Sequence, residues 1–325
     1  MPQPSINSVH VDAILTNISV AYLQKQDNFI ADKVFPIVPV DKKSDKFFVY
    51  TKNDWFRDEA QRRADATESA GSGYNLSTGT YSAEVYAFHK DVGDQTVANA
   101  DAPLNPLREA TEFVTQRLLL RRELQFVSDF FTTGVWADDV TGVAGSPSSG
   151  ETKQWSDYTS SDPIDDIEEA KSEVLSNTGM EPNTLVLGYE VFRQLKNHPD
   201  LVDRIKYTSS QTITQDMLAR MFDLDRVLVA KAVKATNKEG ASEAYSYAYG
   251  KAALLAHVAP NPGLMTPSAG YHFSWTGVSG GIGSTIGVSS FRMESLKAER
   301  VEAEMSFDNK VIGADLGYFW NTIVA

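Results

Sequence analysis

One segment constrains this chain more than any other. From Leu107 to Thr133, "LREATEFVTQRLLLRRELQFVSDFFTT" contains neither glycine nor proline, and Gly134 is the first interruption. Asn105 supplies an N-cap acceptor and Pro106 suits the first helical position, where no amide hydrogen is needed. Val114, Leu118, Leu124, Val127 and Phe131 recur at helical spacing, with Phe113, Leu120 and Phe126 widening the stripe. About 27 residues at roughly 1.5 Å each make a rod of about 40 Å. Helices average about 11 or 12 residues. A helix this long is an axis around which the remaining elements must be arranged.

Three arginines, Arg117, Arg121 and Arg122, fall mid-helix on its less apolar side. Two readings are open for them. They contact nucleic acid, or they pair along the helix with Glu112, Glu123 and Asp129; surface pairing is favoured, since one-turn spacing brings opposite charges together.

Before the helix, "DNFIADKVFPIVPVDKKSDK" places Pro36 and Pro39 inside an apolar run. Proline disfavours helix and central strand, so residues 1–45 are expected to be extended and to lie on another surface. Lys46–Thr51 reads as a strand and Thr80–Val92 as its return, with Tyr81, Ala83, Val85 and Ala87 on one face. The connection, residues 52–79, is almost wholly polar and far longer than an ordinary hairpin loop. It contains Trp55 and Phe56 beside Arg57, Arg62 and Arg63. Aromatics in such a tip imply that it packs against something.

After the helix, residues 134–161 are rich in Gly, Ser, Thr and Asp and read as a junction. Asp162–Pro163 opens a second helix that ends at Gly179. "NTLVLGYEVFRQLKNHPDLVDRIKY", residues 183–207, follows. It reads as a buried strand (Thr184–Leu187), a helix (Val191–Lys196), a stop at Pro199 and a polar exit carrying Asp200, Asp203 and Arg204. Thr212 with Gln215 suggests a capping box for a further helix. Arg226–Val233 reads as a strand, and residues 155–286 as one α+β unit. In the tail, Val301, Ala303, Met305 and Phe307 point inward, Asp308–Asn309 signals a turn, and a second strand returns toward Trp320.

Little here suggests chemistry. Cysteine is absent, which excludes disulfides, thiolate metal sites and cysteine nucleophiles. His10, His89, His198, His257 and His272 show no metal-ligand spacing. "GVSGGIGSTIG", Gly277–Gly287, lacks the lysine of a phosphate loop, and Ile286 stands where a dinucleotide fingerprint needs glycine. Asp165–Asp166 sits at a helix start, where acids favour the helix dipole, and Asp138–Asp139 reads as a solvated loop. No cofactor, metal or catalytic residue is expected. No apolar run approaches the roughly 20 residues of a membrane helix. The net charge of −13 argues against a dominant basic nucleic-acid face.

The order of parts carries more information than any motif. Extended arm, hairpin with a very long tip, single long helix, mixed α+β unit and closing strands together resemble the major capsid proteins of tailed bacteriophages, the HK-ninety-seven type fold. The resemblance spans essentially the whole chain. "NFIADKVFPIVPVDKKSDKFFVYTKNDWFRDEA" resembles the arm and extended loop, "PLREATEFVTQRLLLRRELQFVSDFF" the spine helix, and residues 183–207 the strand–helix segment of the axial domain. "AEMSFDNKVIGADLGYFWNTIV" resembles the strands returning to the peripheral domain.

The resemblance implies an α+β fold in five parts: an N-terminal arm (1–45), an extended loop (46–92), a peripheral domain with the spine helix (93–154), an axial domain (155–286) and return strands of the peripheral domain (287–325). It implies a structural role, with copies forming pentamers and hexamers of an icosahedral shell around double-stranded DNA. The implied location is the virion capsid, assembled in the host cytoplasm. Expected partners are other copies, a separate scaffolding protein (the arm being too short to be a scaffold segment), a portal, a decoration protein and packaged DNA by weak contact, with no membrane. Trp55, Phe56, Arg57, Arg62, Arg63, Asp200, Asp203 and Arg204 are the expected intersubunit contacts, and Arg117, Arg121 and Arg122 the candidate DNA-facing residues. Some such proteins cross-link a loop lysine to a neighbour's asparagine; residues 53–80 contain no lysine, so no tip cross-link is expected. The alternatives are an encapsulin-type nanocompartment shell and, remotely, an α+β enzyme using the Gly277–Gly287 loop.

Overall fold

The computed structural model describes residues 24–100, 104–205, 213–263, 265–278 and 286–325. His10, Tyr207, Thr212 and most of the Gly277–Gly287 loop lie outside them.

The chain opens with α1 (Ala31–Val34), β1 (Ile37–Val40), β2 (Ser44–Tyr50), α2 (Lys52–Trp55), β3 (Leu76–Ser82), β4 (Glu84–Gly93) and α3 (Asp94–Ala98). The long helix is α4 (Pro106–Phe130), followed by β5 (Asp138–Val143), β6 (Glu151–Lys153), α5 (Pro163–Thr178), β7 (Thr184–Gly188), α6 (Tyr189–Lys196) and α7 (Pro199–Ile205). Then come α8 (Gln215–Met221), β8 (Arg226–Ala230), β9 (Val233–Ala235), β10 (Tyr245–Tyr247), β11 (Ala253–Ala256), β12 (Gly270–Trp275), β13 (Gly287–Met293), β14 (Ala298–Val311) and β15 (Gly317–Asn321).

Two large sheets share the chain. The first has the order β6-β5-β15-β11-β7-β8. In the second, β1-β12-β14-β13, β14 also pairs β4. Every residue of β7 is buried. Leu185 and Leu187 enter a core formed with α5, α6 and α8, whereas Val186 faces a second core on the other side of the sheet. A strand packed on both faces needs the continuous apolar run "TLVLG" rather than an alternating one.

The α4 helix serves two cores because of its periodicity. Ala110, Val114, Leu118, Arg122, Phe126 and Phe130 are buried at strict four-residue intervals. At 3.6 residues per turn, each such step advances the row by about 40°. The row therefore winds around the helix. Ala110, Val114 and Leu118 pack with Val301, Ala303, Met305 and Phe307 of β14. Phe126 and Phe130 pack with Phe29, Val34 and Phe35 and with Leu254 and Phe319 of the six-stranded sheet. The straight stripe expected through Leu124 and Val127 is displaced: both are only partly buried.

Local punctuation decides the helix ends. Asn105 Oδ1 accepts the Arg108 amide at 3.2 Å. Asp162 accepts the amides of Ile164 and Asp165, Pro163 follows, and Gly179 closes α5 at φ +68°. The cap of α8 is Thr214, which accepts the Met217 amide.

Several expectations are corrected. The hairpin is β2 with β3, in the register Ser44↔Ser82 to Tyr50↔Leu76. β4 leaves it after Ala83 and joins β14 instead. The inward face changes with it: Tyr81 and Ala83 are buried, but beyond them Tyr86 and Phe88 turn inward and Val85 is exposed. Pro199 begins α7 instead of ending the helical region, since its missing amide hydrogen is no loss at a first helical position. Asp308–Asn309 makes no turn, because β14 runs through it for 14 residues. Asp308 Oδ2 takes the Ser82 amide at 2.8 Å, and Asn309 bonds His272 and Asp129. Turn-forming side chains are spent on lateral partners here.

The expected break at residue 286 does not coincide with the sheets. β12 belongs to the five-stranded sheet, while β15 lies between β5 and β11 in the six-stranded one. Asp138 and Asp139 lie in β5, partly buried, and burial raises both carboxyl pKa values.

Candidate functional site

Among the described residues, no group of three or more His, Cys, Asp or Glu side chains is placed to hold a metal ion. The structure also brings Ser161 to His198 and Asp200, a Ser–His–Asp arrangement hidden in the sequence because Ser161 lies 37 residues before His198. Ser161 Oγ is 3.0 Å from His198 Nε2, and Asp200 Oδ2 is 3.4 Å from His198 Nδ1. Its proton geometry is structural. The Ser161 hydroxyl donates to the Asp157 carbonyl at 2.7 Å, so its oxygen accepts from Nε2–H. An activated nucleophile requires the reverse, a base accepting the hydroxyl proton. Both Ser161 and His198 are buried. Burial lowers the His198 pKa, against the opposing charges of Asp200 and Asp162. His257 is also structural, bonded through Nδ1 to the Glu181 carbonyl at 2.8 Å. Asp166 accepts from Trp155 Nε1 at 2.7 Å and Thr152 Oγ1 at 3.1 Å, holding α5 to β6 and its following turn.

The site with most structural content is a clamp on α4. Glu123 has 0% exposure. Its carboxylate accepts the amides of Ile30 (3.0 and 3.2 Å) and Ala31 (3.0 Å), and the Tyr249 hydroxyl at 2.8 Å. These amides are at the start of α1, so an acid side chain replaces the missing helical acceptors. Burial raises the Glu123 pKa, opposed by these hydrogen bonds. Next to it, Arg122 Nη2 meets Asp32 Oδ2 at 3.1 Å.

This overturns two expectations. Arg122 is buried against its own chain and is not a DNA-facing residue. Glu123 is not a surface partner for the arginines, and Glu112 pairs with Arg108 at 3.1 Å. The helical pattern alone could not separate a charged residue on the open face from one answering a distant segment. The repeated i+4 row through position 122 was the available signal.

The clamp fixes residues 24–41 as a strap. Gln24 bonds both the amide and carbonyl of Val233, and Gln116 Nε2 donates to the Gln24 carbonyl. Arg226 Nη2 donates to the Val34 carbonyl at 2.8 Å. β1 pairs in parallel with β12, from Ile37↔His272 to Val40↔Trp275. Pro39 is tolerated because β1 is an edge strand. The surface beneath this part of the expected arm is thus that of the same subunit.

Several exposed aromatic side chains gather on the hairpin. Trp55 is 52% exposed and Phe56 60%. Trp55 lies 5.7 Å from the Tyr74 ring and 6.2 Å from Tyr50, while Phe48 on β2 is 61% exposed. Asp54 Oδ2 takes the Asn75 amide at 2.8 Å, closing the base of the tip. Arg57, Arg62 and Arg63 are exposed beyond it, Arg57 lying 3.9 Å from Glu59. Asp200, Asp203 and Arg204 are exposed on α7, well separated in sequence from the hairpin.

Arg117 and Arg121 do reach the surface. Arg117 lies over the Phe113 ring at 5.1 Å and Arg121 over Tyr86 at 5.0 Å. Lys90 joins them over Phe113 at 5.3 Å, which the sequence reading missed because Lys90 comes from β4.

A buried clamp, a strapped N-terminal segment and an exposed aromatic hairpin are the main features among the described residues. The family model for phage major capsid protein E matches residues 146–263. Major capsid proteins of Burkholderia phage BcepMu and Pseudomonas phage JBD67 are each 27% identical, over 95% and 97% of both chains respectively. A phage-related protein from Bordetella bronchiseptica RB50 superposes with a TM-score of 0.68 at 24% identity, covering 92% of this chain and 93% of that one. A capsid chain of cyanophage P-SCSP1u gives 0.61 at 7% identity, covering 98% and 94%. The encapsulin SrpI of Synechococcus elongatus gives 0.58 at 12% identity, covering 99% and 96%. The chain is thus similar to phage major capsid proteins over nearly its whole length, and it has the HK-ninety-seven type fold of phage capsid chains.

Proposed function

We propose that this chain is the major capsid subunit of a tailed bacteriophage, self-assembling into the icosahedral shell of the virion. The observation that carries the reading is the near-complete alignment with two phage major capsid proteins, 95% and 97% of both chains. The fold supports it mechanically. A strapped two-sheet body is rigid enough to repeat, and the aromatic hairpin offers an anchor of the kind that dominates protein interfaces.

In the finer reading, the six-stranded sheet with α5–α8 forms the axial part of each capsomer. The five-stranded sheet with the spine helix α4 forms the periphery. Trp55, Phe56, Arg57, Arg62 and Arg63 then meet one neighbour, and Asp200, Asp203 and Arg204 line another contact. Pentamers and hexamers, packaged double-stranded DNA, a scaffolding protein, a portal and a decoration protein complete the proposal, with assembly in the host cytoplasm. An encapsulin-type shell is the weaker alternative, supported by fold likeness alone. Little supports the Gly277–Gly287 enzyme reading: a Cβ at Gly277 would overlap the Trp275 indole, and Gly287 begins β13.

Expression of the chain alone and with its neighbouring genes, followed by negative-stain microscopy, tests the proposal. Closed shells are expected. Monomers and small oligomers under every condition overturn it; shells filled by an enzyme from a neighbouring gene favour the encapsulin.

A further inference from the structure

We propose that Lys52 and Phe56 form a releasable latch, which parks the far end of the β2–β3 hairpin on the body of its own subunit until a neighbouring copy takes it. The inference rests on the capsid reading for that neighbour and goes beyond it for the free subunit.

Lys52 opens the short helix α2 and Phe56 follows its last residue. A spacing of four puts both side chains on one side of that turn. Lys52 pairs with Asp315, in the 3-10 turn Ala314–Leu316 that leads into β15. Asp138, at the start of β5, adds a second carboxylate: burial and then Asp315 raise its pKa, and Lys52 opposes them. The Phe56 ring lies 3.5 Å from the point that a Cβ on Gly179 would occupy, at the end of α5. The ring thus rests on bare backbone, at a residue whose φ of +68° suits glycine. Leu175 and Met180 leave exposed apolar surface around this seat. Trp55 goes instead to Tyr50 and Tyr74, and Asp54 holds the Asn75 amide. Through these contacts α2 is tied to both strands, so whatever holds α2 holds the far end of the pairing.

The two ends of the hairpin are held differently. At the root, Phe47 and Tyr81 stack on the buried Phe273 ring at 5.5 and 4.6 Å. At the far end, the Lys52 and Asp315 side chains are 46% and 39% exposed, and Phe56 is 60% exposed. An exposed ion pair is screened by solvent and contributes little. A ring left mostly in water has committed little of its apolar surface to the contact. The root is therefore fixed, while the far end sits in contacts weak enough to exchange. A neighbour that covers the Phe56 ring buries more apolar surface than the backbone at Gly179 does. That difference is the differential affinity a two-state element requires.

The native chain contains no cysteine, so spin labels on Asn53→Cys and Asn177→Cys, both exposed positions, report this one distance. Pulsed electron double resonance on the soluble full-length subunit should give one narrow peak. In the labelled chain, Lys52→Gln should lower the closed-to-open ratio about two- to fivefold. Phe56→Ala should add the same longer, broader component, whereas Lys52→Arg should keep the narrow peak. A broad distribution in the native chain, or Lys52→Gln and Phe56→Ala traces that match it, overturns the latch. In shells built from labelled subunits diluted into unlabelled chain, the narrow peak should give way to a longer distance; a narrow peak that persists there overturns the release. Absence of shells under every condition removes the capsid reading, and the free-subunit measurement still decides the latch.

Discussion

The Tyr249 hydroxyl donates to the Glu123 carboxylate at 2.8 Å, joining the long helix to the residues entering the six-stranded sheet. The same carboxylate holds the amides of Ile30 and Ala31. One buried acid therefore fastens three stretches of chain far apart in sequence.

Glu123→Gln separates the acceptor role of that side chain from its charge. Burial raises the Glu123 pKa above its unfolded value. Its ionisation-linked contribution is thus fully present below the unfolded pKa and is lost as pH rises through the folded one. The Gln variant keeps one acceptor oxygen and avoids the buried charge. Because the variant does not titrate, the stability of the native chain relative to it should be greatest at pH 4, below the ordinary glutamate pKa, and should fall as pH rises toward 8. Urea unfolding at the two pH values measures it; a relative stability that grows with pH would show that the ionised form is the favoured one.

His272 has the opposite sign. It is buried among Phe35, Phe126 and Phe130, with Nδ1 2.6 Å from Asn309 Oδ1. Burial pushes its pKa down to about 4. Its contribution is complete above the unfolded pKa of about 6.5 and is lost as pH falls toward 4, amounting to about 3 kcal/mol in all. His272→Gln should flatten the loss of stability between pH 6.5 and 4, read by chemical unfolding across that interval. An unchanged pH profile rejects the assignment.

Trp55→Ala tests the hairpin as a contact. Trp55 packs on Tyr50 and Tyr74 of its own hairpin and is half exposed. The subunit should keep its urea midpoint, while the affinity between subunits falls about tenfold or more. Sedimentation of assembled against free protein reads the effect. Loss of soluble protein would place Trp55 in the folding core.

Mature particles should show no covalent ladder arising from the hairpin tip. Residues 53–80 carry no lysine, and the nearby Lys52 is held by Asp315. Boiled particles on a denaturing gel should run as a single subunit band; a ladder whose cross-linked peptides include residues 53–80 would contradict this.

Elements written in local chemistry were legible from the sequence. Asn105–Pro106, Asp162–Pro163 and Gly179 bound their helices as their backbone demands require, and Val301, Ala303, Met305 and Phe307 face inward as their alternation says. Misread positions were those settled by distant partners. Asp308 and Asn309 are turn residues until Ser82, His272 and Asp129 are beside them. Glu123 is an ordinary helix acid until Ile30, Ala31 and Tyr249 arrive. The basic patch was half legible: two of its members lie one turn apart on α4, but Lys90 is brought in only by the pairing of β4 with β14.

The placement of β15 bears on when a subunit can exist at all. Residues 317–321 lie between β5 and β11, in the interior of the six-stranded sheet. On the ribosome, β5, β7, β8 and β11 emerge with that slot empty, and the sheet closes only after Asn321 has left the exit tunnel. A chain broken off earlier has an incomplete sheet and presents no finished body to a growing lattice. A chain ending before residue 317 would leave β5 and β11 without the strand that joins them, splitting the six-stranded sheet in two.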